Sequence, residues 1–221
     1  MDINFGYIAA VFIVSIASVI LHELMHGVVA YALGDETARL SGRLTLNPLK
    51  HIDPVMSIIV PVMLALIGAP VFGGAKPVPI NTRNLRGGEW GFAAVAIAGP
   101  LTNLLLALIF FLVGYFTGAL GMTAGSLGYV PDFLGTVCAT GVMLNLGFAL
   151  FNIIPIPPLD GSRVLYALAP DGVQTFMQQL EQYGIIVIYA LILLGGSIFS
   201  QYMMFGRSAL IDFFFWIVGA K

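Results

Sequence analysis

Charged residues are scarce in this sequence: lysine, arginine, aspartate and glutamate together make up 9% of 221 residues. The net charge is only −2, so the chain has no basic surface for nucleic acid, and we expect no nucleic-acid partner. A single cysteine, Cys138, excludes an internal disulfide bond. No lysine or arginine precedes the first apolar run, which argues against a cleaved signal peptide, and we expect this run to be kept as a helix.

Apolar residues, in contrast, make up 59% of the chain, and the mean hydropathy is +0.97. One soluble core of this length cannot hide so much apolar surface. The apolar runs predict an α-helical polytopic membrane protein with about five to six transmembrane segments in contact with the lipid bilayer. We expect one membrane-embedded domain over residues 1–221.

The clearest apolar runs predict a core of three helices, with two further runs near the C-terminus; they cover residues 5–33, 90–117 and 133–153, then 185–199 and 209–218. Residues 55–72 are also apolar but contain Pro61, Gly68 and Pro70, so this segment could cross the membrane or enter and return. Re-entry places all basic residues but Arg207 on one face, which favours re-entry and makes that face cytoplasmic. We therefore expect a multi-pass protein of the cell membrane.

Two histidines and a glutamate interrupt the first apolar run, at residues 22–26. Ionisable groups in such a run are costly and indicate a functional site. Residues four apart lie on one helix face, about 6 Å apart along the axis, so His22 and His26 can bind one metal ion with Glu23 beside it. The pattern H-E-x-x-H is typical of zinc peptidases, in which the glutamate takes a proton from metal-bound water. The alternative is two interfacial histidines that flank a glutamate by chance.

A catalytic zinc ion needs a third protein ligand. Asp160 is the best candidate, because it follows a proline-rich break after the third span, and irregular backbone at membrane depth is tolerated only where it is buried or lines a wet cavity. Asp160 can equally cap a helix that begins near Ser162. We interpret His51 as an ordinary interfacial histidine rather than a ligand.

Two asparagines in the apolar runs have two interpretations each. Asn152 either ties spans together or donates a hydrogen bond to the reacting group. Asn103, in the stretch 99–103, offers the same choice, and we interpret it as a packing residue. Sequence spacing alone does not separate these roles.

Residues 73–80 combine a glycine pair with alternating prolines, which excludes helix interior and predicts an extended segment. Its glycines let another backbone approach, and its remaining amides can pair with an incoming strand. The alternative is a plain interfacial loop. If the segment binds substrate, the expected contact residues are Gly74, Ala75, Lys76 and Val78.

These motifs together resemble the site-2 proteases, a family of intramembrane zinc metalloproteases, in a minimal form without an inserted regulatory domain. The resemblance lies in residues 22–27, 99–103 and 152–161. It implies that Asp160 is the third zinc ligand, that Asn152 helps to hold the scissile carbonyl or its oxyanion, and that residues 73–80 belong to a β-loop near substrate. The acidic motif of the family is often Asn-Pro-Asp-Gly, whereas Pro158 and Leu159 precede Asp160 here.

The resemblance implies zinc-dependent hydrolysis of peptide bonds in or near the transmembrane segments of membrane proteins, with Glu23 as the general base. The expected partners are transmembrane protein or peptide substrates, and the site is expected near the cytoplasmic face. A metal-ion transporter or metal-sensing membrane protein with the same ligands is the alternative, although the sequence lacks an inverted repeat. A third possibility is a proteolytically inactive scaffold.

Overall fold

The computed structural model of the chain describes residues 5–53, 59, 63, 75–120, 122–123, 126–127 and 132–220. The helices in this part are α1 (Phe5–Ala32), α2 (Thr37–Leu40), α3 (Gly88–Phe116), α4 (Phe133–Asn152), α5 (Gly161–Leu168), α6 (Asp171–Glu181) and α7 (Gly184–Ile217). Short 3-10 turns cover Pro48–Lys50 and Thr82–Asn84. Two short strands, β1 (Met122–Thr123) and β2 (Ser126–Leu127), pair antiparallel between α3 and α4.

Four of the described helices, α1, α3, α4 and α7, are long and apolar enough to cross a membrane. Large apolar side chains on them face outward, including Phe12, Leu105 and Leu194, which are 65%, 57% and 86% exposed. Apolar surface of this extent on long helices is compatible with lipid rather than with water. The prediction of an α-helical multi-pass membrane protein is therefore confirmed.

Helices α1, α3 and α4 pack against one another as a three-helix unit. Gly141 of α4 leaves room for the ring of Phe110 of α3, because a Cβ atom on Gly141 would lie 2.3 Å from that ring. At one end of the unit, the ring of Phe111 meets the ring of Phe215 of α7 edge-to-face, with ring centroids 5.0 Å apart. The polar site lies toward the opposite end, where α1 meets α3.

Helix α7 joins two segments that the sequence predicts as separate spans, residues 185–199 and 209–218. The chain stays helical through the more polar residues between them, which contain no proline. The helix instead kinks at Gly196, whose φ of 24° and ψ of −99° are tolerated by a residue without a side chain. The two predicted spans are thus one kinked helix.

The predicted re-entrant segment, residues 55–72, falls almost entirely outside the described part of the chain. Its flanks are described, and they meet: the amide of Lys76 donates to the carbonyl oxygen of His51 at 2.8 Å. The amide of Arg86 likewise donates to the carbonyl of Leu33 at 2.8 Å, so the chain before α3 lies beside the end of α1.

Asp35 fixes the chain before α3 to the end of α1. Its side chain is fully buried, and its carboxylate accepts hydrogen bonds from the backbone amides of Thr37 and Asn81 at 3.1 and 2.7 Å and from the side-chain amide of Asn84 at 3.2 Å. Burial raises the pKa of this carboxyl, but the hydrogen bonds outweigh burial and hold the pKa below its ordinary value. The ionised carboxylate thus holds Asn81 and Asn84, which follow residues 75–80, against the end of α1.

Candidate metal centre

The histidines of the H-E-x-x-H pattern lie one turn apart on α1, and both are buried, with 8% and 7% of their surface exposed. The Oδ2 atom of Asp160 lies 3.1 Å from Nε2 of His22 and 3.5 Å from Nε2 of His26. Asp160 belongs to the turn between α4 and α5, so the fold brings an acidic residue far along the chain against the helix that carries the histidines. The three predicted ligands converge on one point.

Asp160 stands at the first position before α5, but its side chain makes no capping hydrogen bond. The structure therefore does not support the capping alternative. The neighbouring glycine is required by packing, because a Cβ atom on Gly161 would lie 2.1 Å from the carbonyl oxygen of Ile153. This close approach shapes the turn that carries the Asp160 carboxylate.

The outer ring nitrogens of the two histidines are held by partners on α3. Nδ1 of His26 lies 2.8 Å from the carbonyl oxygen of Val95, and Nδ1 of His22 lies 2.6 Å from Oδ1 of Asn103. Carbonyl oxygens only accept hydrogen bonds, so each Nδ1 atom donates, and in the neutral imidazole, the form that binds a metal, each Nε2 atom keeps a lone pair. Both lone pairs face Asp160.

The inner atoms of the cluster are acceptors without a donor. The two Nε2 atoms are 3.1 Å apart, which is a hydrogen-bond distance, but neither can donate while both Nδ1 atoms carry the proton. The buried Oδ2 atom of Asp160 also has no hydrogen-bond donor. Buried acceptors that face one another are unfavourable unless a cation lies between them. Two imidazoles and one carboxylate match the ligand set of catalytic zinc sites that keep one position open.

Glu23 lies beside this cluster. A carboxylate oxygen of Glu23 is within 4.8 Å of the ligand atoms of both histidines, so distance alone would admit it as a ligand. Its Oε2 atom, however, accepts a hydrogen bond from the amide of Val78 at 3.0 Å. Asp160 lies closer to the Nε2 atoms and has no such partner, which favours Asp160 as the third ligand and leaves Glu23 next to the ion.

Residues 75–80 form neither helix nor strand, and Gly74 lies outside the described part of the chain. The amides of Lys76 and Val78, which we expected to be available to an incoming strand, donate within the protein to the carbonyl of His51 and to Glu23. The carbonyl of Lys76 also accepts from Arg43 at 2.6 Å. The backbone of Ala75 is not among these bonded groups, and a substrate role for this segment stays a prediction.

Two other polar residues from the sequence analysis lie apart from the cluster. Asn152 is half-buried at the end of α4 and donates from Nδ2 to the carbonyl of Phe148 at 3.1 Å, so its catalytic role stays a prediction. His51 is buried and donates from Nε2 to the carbonyl of Thr45 at 2.8 Å. Among the described residues, the group of potential metal ligands on α1 contains neither His51 nor Asp160, but Asp160 joins it through its 3.1 and 3.5 Å contacts with the two histidines.

Two residues of α3 have a larger part in the site than the sequence indicates. A Cβ atom on Gly99 would lie 2.5 Å from Cε1 of His22 and 2.6 Å from Cε1 of His26, so both imidazoles lie directly on the backbone of α3. Asn103, which we interpreted as a packing residue, contacts the His22 ring. The available signal was spacing: Gly99 and Asn103 are four apart, as His22 and His26 are, so each pair presents one face of its helix.

The chain is similar in sequence to several proteins that are named as zinc metalloproteases. No protein-family model matches the chain. It is 39% identical over 201 residues to "Putative zinc metalloprotease YwhC" of Bacillus subtilis, which covers 90% of this chain and 88% of that protein. It is 33% identical over 189 residues to "Putative zinc metalloprotease Rip2" of Mycolicibacterium smegmatis, covering 83% and 68%. "Putative zinc metalloprotease MJ0611" of Methanocaldococcus jannaschii is 35% identical over 162 residues and covers 70% of each chain.

Among solved structures, the site-2 protease from Methanocaldococcus jannaschii matches 95% of this chain and 80% of its own, with 21% identity and a TM-score of 0.45. The fold and the site together define a polytopic membrane protein whose first long helix carries a group of potential metal ligands, His22, Glu23 and His26. The extent and identity of the sequence matches show that the chain belongs to the site-2 protease family.

The contact of both imidazoles with Gly99 predicts a strong effect of one methyl group. Gly99→Ala should displace the two rings together and lower the affinity for Zn²⁺ by about tenfold or more, as loss of a supporting contact typically does. The affinity can be measured on purified protein by competition with a chromophoric chelator. Gly147→Ala on α4 is the matched control, since nothing lies within 4 Å of its Cβ position. Equal affinities for the two folded variants would contradict the prediction.

Proposed function

We propose that the chain is a zinc-dependent endopeptidase, a single membrane-embedded peptidase domain that cleaves peptide bonds in or near the transmembrane segments of other membrane proteins. The observation that carries this proposal is the convergence of two imidazole nitrogens and the carboxylate of Asp160, with Glu23 beside them, on long apolar helices. The names of the relatives support zinc and peptide hydrolysis.

In this mechanism His22, His26 and Asp160 hold the ion. When bound, zinc would polarise the peptide carbonyl and lower the pKa of water to about 7. Glu23 takes the proton of the attacking water as the water oxygen bonds to the carbonyl carbon, and it returns that proton to the amine as the C–N bond breaks. Since Oε2 of Glu23 accepts from the Val78 amide, the other carboxylate oxygen, Oε1, is the one left for this proton.

Substrate access imposes a further requirement, because the carbonyls of a transmembrane helix are already hydrogen-bonded within the helix. The substrate must therefore unwind locally before it reaches the buried cluster. Residues 75–80, whose Val78 amide donates to Glu23, are our candidate for the segment that receives it, together with Gly74. We assign Asn152 to the oxyanion, for which its amide would have to leave the carbonyl of Phe148.

The roles of the four central residues predict different results on substitution. His22→Ala, His26→Ala and Asp160→Ala should each lose bound zinc and cleavage, because a catalytic site needs all three protein ligands. Glu23→Gln should keep zinc and lose nearly all cleavage of a single-span substrate, because only proton transfer is removed. Metal analysis measures the bound zinc, and an assay with and without chelator measures the cleavage. Zinc retained without cleavage by the unsubstituted protein would favour a metal transporter, and active Glu23→Gln would exclude this residue as the base.

The Val78 amide offers a second prediction about the base. Val78→Pro deletes the only N–H between Pro77 and Pro79 and should lower turnover of every substrate, because Glu23 loses the donor that holds Oε2. Turnover of a short unfolded peptide and of a helical substrate should therefore fall by the same factor, with zinc content unchanged. Val78→Ala keeps the amide and is the control. A loss confined to the helical substrate would instead mean that this amide pairs with substrate.

The orientation in the membrane is a further part of the proposal. We place the cluster near the cytoplasmic face, with residues 55–72 re-entrant; the contact between Lys76 and His51 supports a segment that returns to where it began. Single cysteines at Thr82 and Ser126, in a Cys138→Ser background, should react with an impermeant thiol reagent from opposite sides, Thr82 from the cytoplasm. Reaction of both from the same side would contradict re-entry.

A further inference from the structure

A relay of polar side chains crosses three helices behind His22. Asn103 of α3 and Asn145 of α4 are 0% exposed, and Ser18 of α1 is 1% exposed. Nδ1 of His22 is 2.6 Å from Oδ1 of Asn103, whose Nδ2 donates to Oδ1 of Asn145 at 2.9 Å. Nδ2 of Asn145 donates to Oγ of Ser18 at 2.9 Å. All these amide groups are satisfied, which is the condition for a buried polar network to be stable.

The direction of this relay is determined at its far end. Nδ2 of Asn145 also donates to the main-chain carbonyl of Gly141 at 2.9 Å, an oxygen that can only accept. The Oδ1 atom of Asn145 must then face Asn103 and accept from it. Asn103 therefore presents its own oxygen to His22, and the hydrogen bond between them requires the proton on Nδ1 of His22.

We propose that Asn103, oriented by Asn145, is the positioning residue of the metal ligand His22. It holds the imidazole in the tautomer with the proton on Nδ1, so that the lone pair of Nε2 faces the ion. A neutral imidazole binds a metal through its unprotonated nitrogen, and the partner of the other nitrogen fixes the tautomer and the ring orientation. This inference rests on the proposed function only in naming Zn²⁺ as the ion.

The other two histidines show that the partner, rather than the residue type, sets the tautomer. His26 donates from Nδ1 to the Val95 carbonyl, which leaves its Nε2 free for the ion. His51 donates from Nε2 to the Thr45 carbonyl, which is the opposite tautomer, and it stands outside the cluster. A main-chain carbonyl performs for His26 what the amide of Asn103 performs for His22.

Zinc affinity gives the first test. Asn103→Leu removes the acceptor at nearly constant volume and should lower the affinity for Zn²⁺ by about 10- to 100-fold, the usual effect of losing an outer partner of a metal-bound histidine. Asn103→Gln keeps both the acceptor for Nδ1 and the donor for Asn145 and should lose less affinity than Asn103→Leu. Ser18→Ala is the matched control, because the Gly141 carbonyl still orients Asn145. Unchanged affinity in folded Asn103→Leu would overturn the proposal.

The tautomers themselves give a second test, which needs neither metal nor activity. In metal-free protein labelled with ¹⁵N-histidine, at a pH alkaline enough to keep the imidazoles neutral, the chain's three histidines should show His22 and His26 protonated on Nδ1 and His51 on Nε2. Asn103→Leu should convert only the His22 signals to a mixture of tautomers, with those of His51 as the internal control. His22 protonated on Nε2 in the unsubstituted protein, or unchanged in Asn103→Leu, would overturn the proposal.

Two further outcomes have a defined meaning. If Asn103→Leu does not fold, Asn145→Ala is measured instead; it leaves Asn103 free to rotate and should also mix the tautomers of His22. Mixed tautomers support the proposal, and an unmixed His22 in this variant overturns the part assigned to Asn145. If the unsubstituted protein shows the expected tautomers but binds no zinc, the proposed function fails while the positioning role of Asn103 stands.

Discussion

Three acceptors converge in an apolar setting, and the rest of the structure depends on how they are held together. His22, His26 and Asp160 would repel or remain unsatisfied if they were simply buried. A cation that binds all three acceptors turns the same arrangement into a stable one, so metal binding recovers the cost of placing these groups among apolar helices. This coupling explains why the site lies where three helices meet, because each helix contributes groups that no single helix could supply.

Helix α3 supports the site without contributing a ligand. Gly99 gives the imidazoles a flat surface, and the Val95 carbonyl and the Asn103 side chain orient the two rings from behind. Close approach of α1 and α3 is therefore a chemical requirement as well as a packing solution. In the sequence, the small residues of α3 resemble an ordinary helix-packing pattern. Only the structure shows that Gly99 also supports the rings of His22 and His26.

Local spacing explains which parts of the site were predictable. The four-residue spacing of His22 and His26 fixes their shared helix face, so this half of the cluster follows from the sequence alone. Asp160 did not follow from spacing, because an aspartate before a glycine suits a cap as well as a ligand, and only the contact of its turn with α1 decides between them. The contact of Asn103 with His22 did not follow from spacing either: a buried amide in a span can bond to any neighbouring helix, and which partner it finds depends on the tertiary structure.

Residues 75–80, before α3, show the same limit of prediction from sequence. They also constrain how substrate can bind. Prolines predicted an extended backbone, but which groups its amides face depends on Asp35, which holds the following residues against the end of α1. The amide of Val78 donates to Glu23, and one N–H cannot fully serve both the base and a substrate carbonyl. A substrate strand that took this amide would release the carboxylate that has to accept a proton. Pairing with substrate must therefore use other groups of the segment, or the arrival of substrate must itself be the event that frees Glu23.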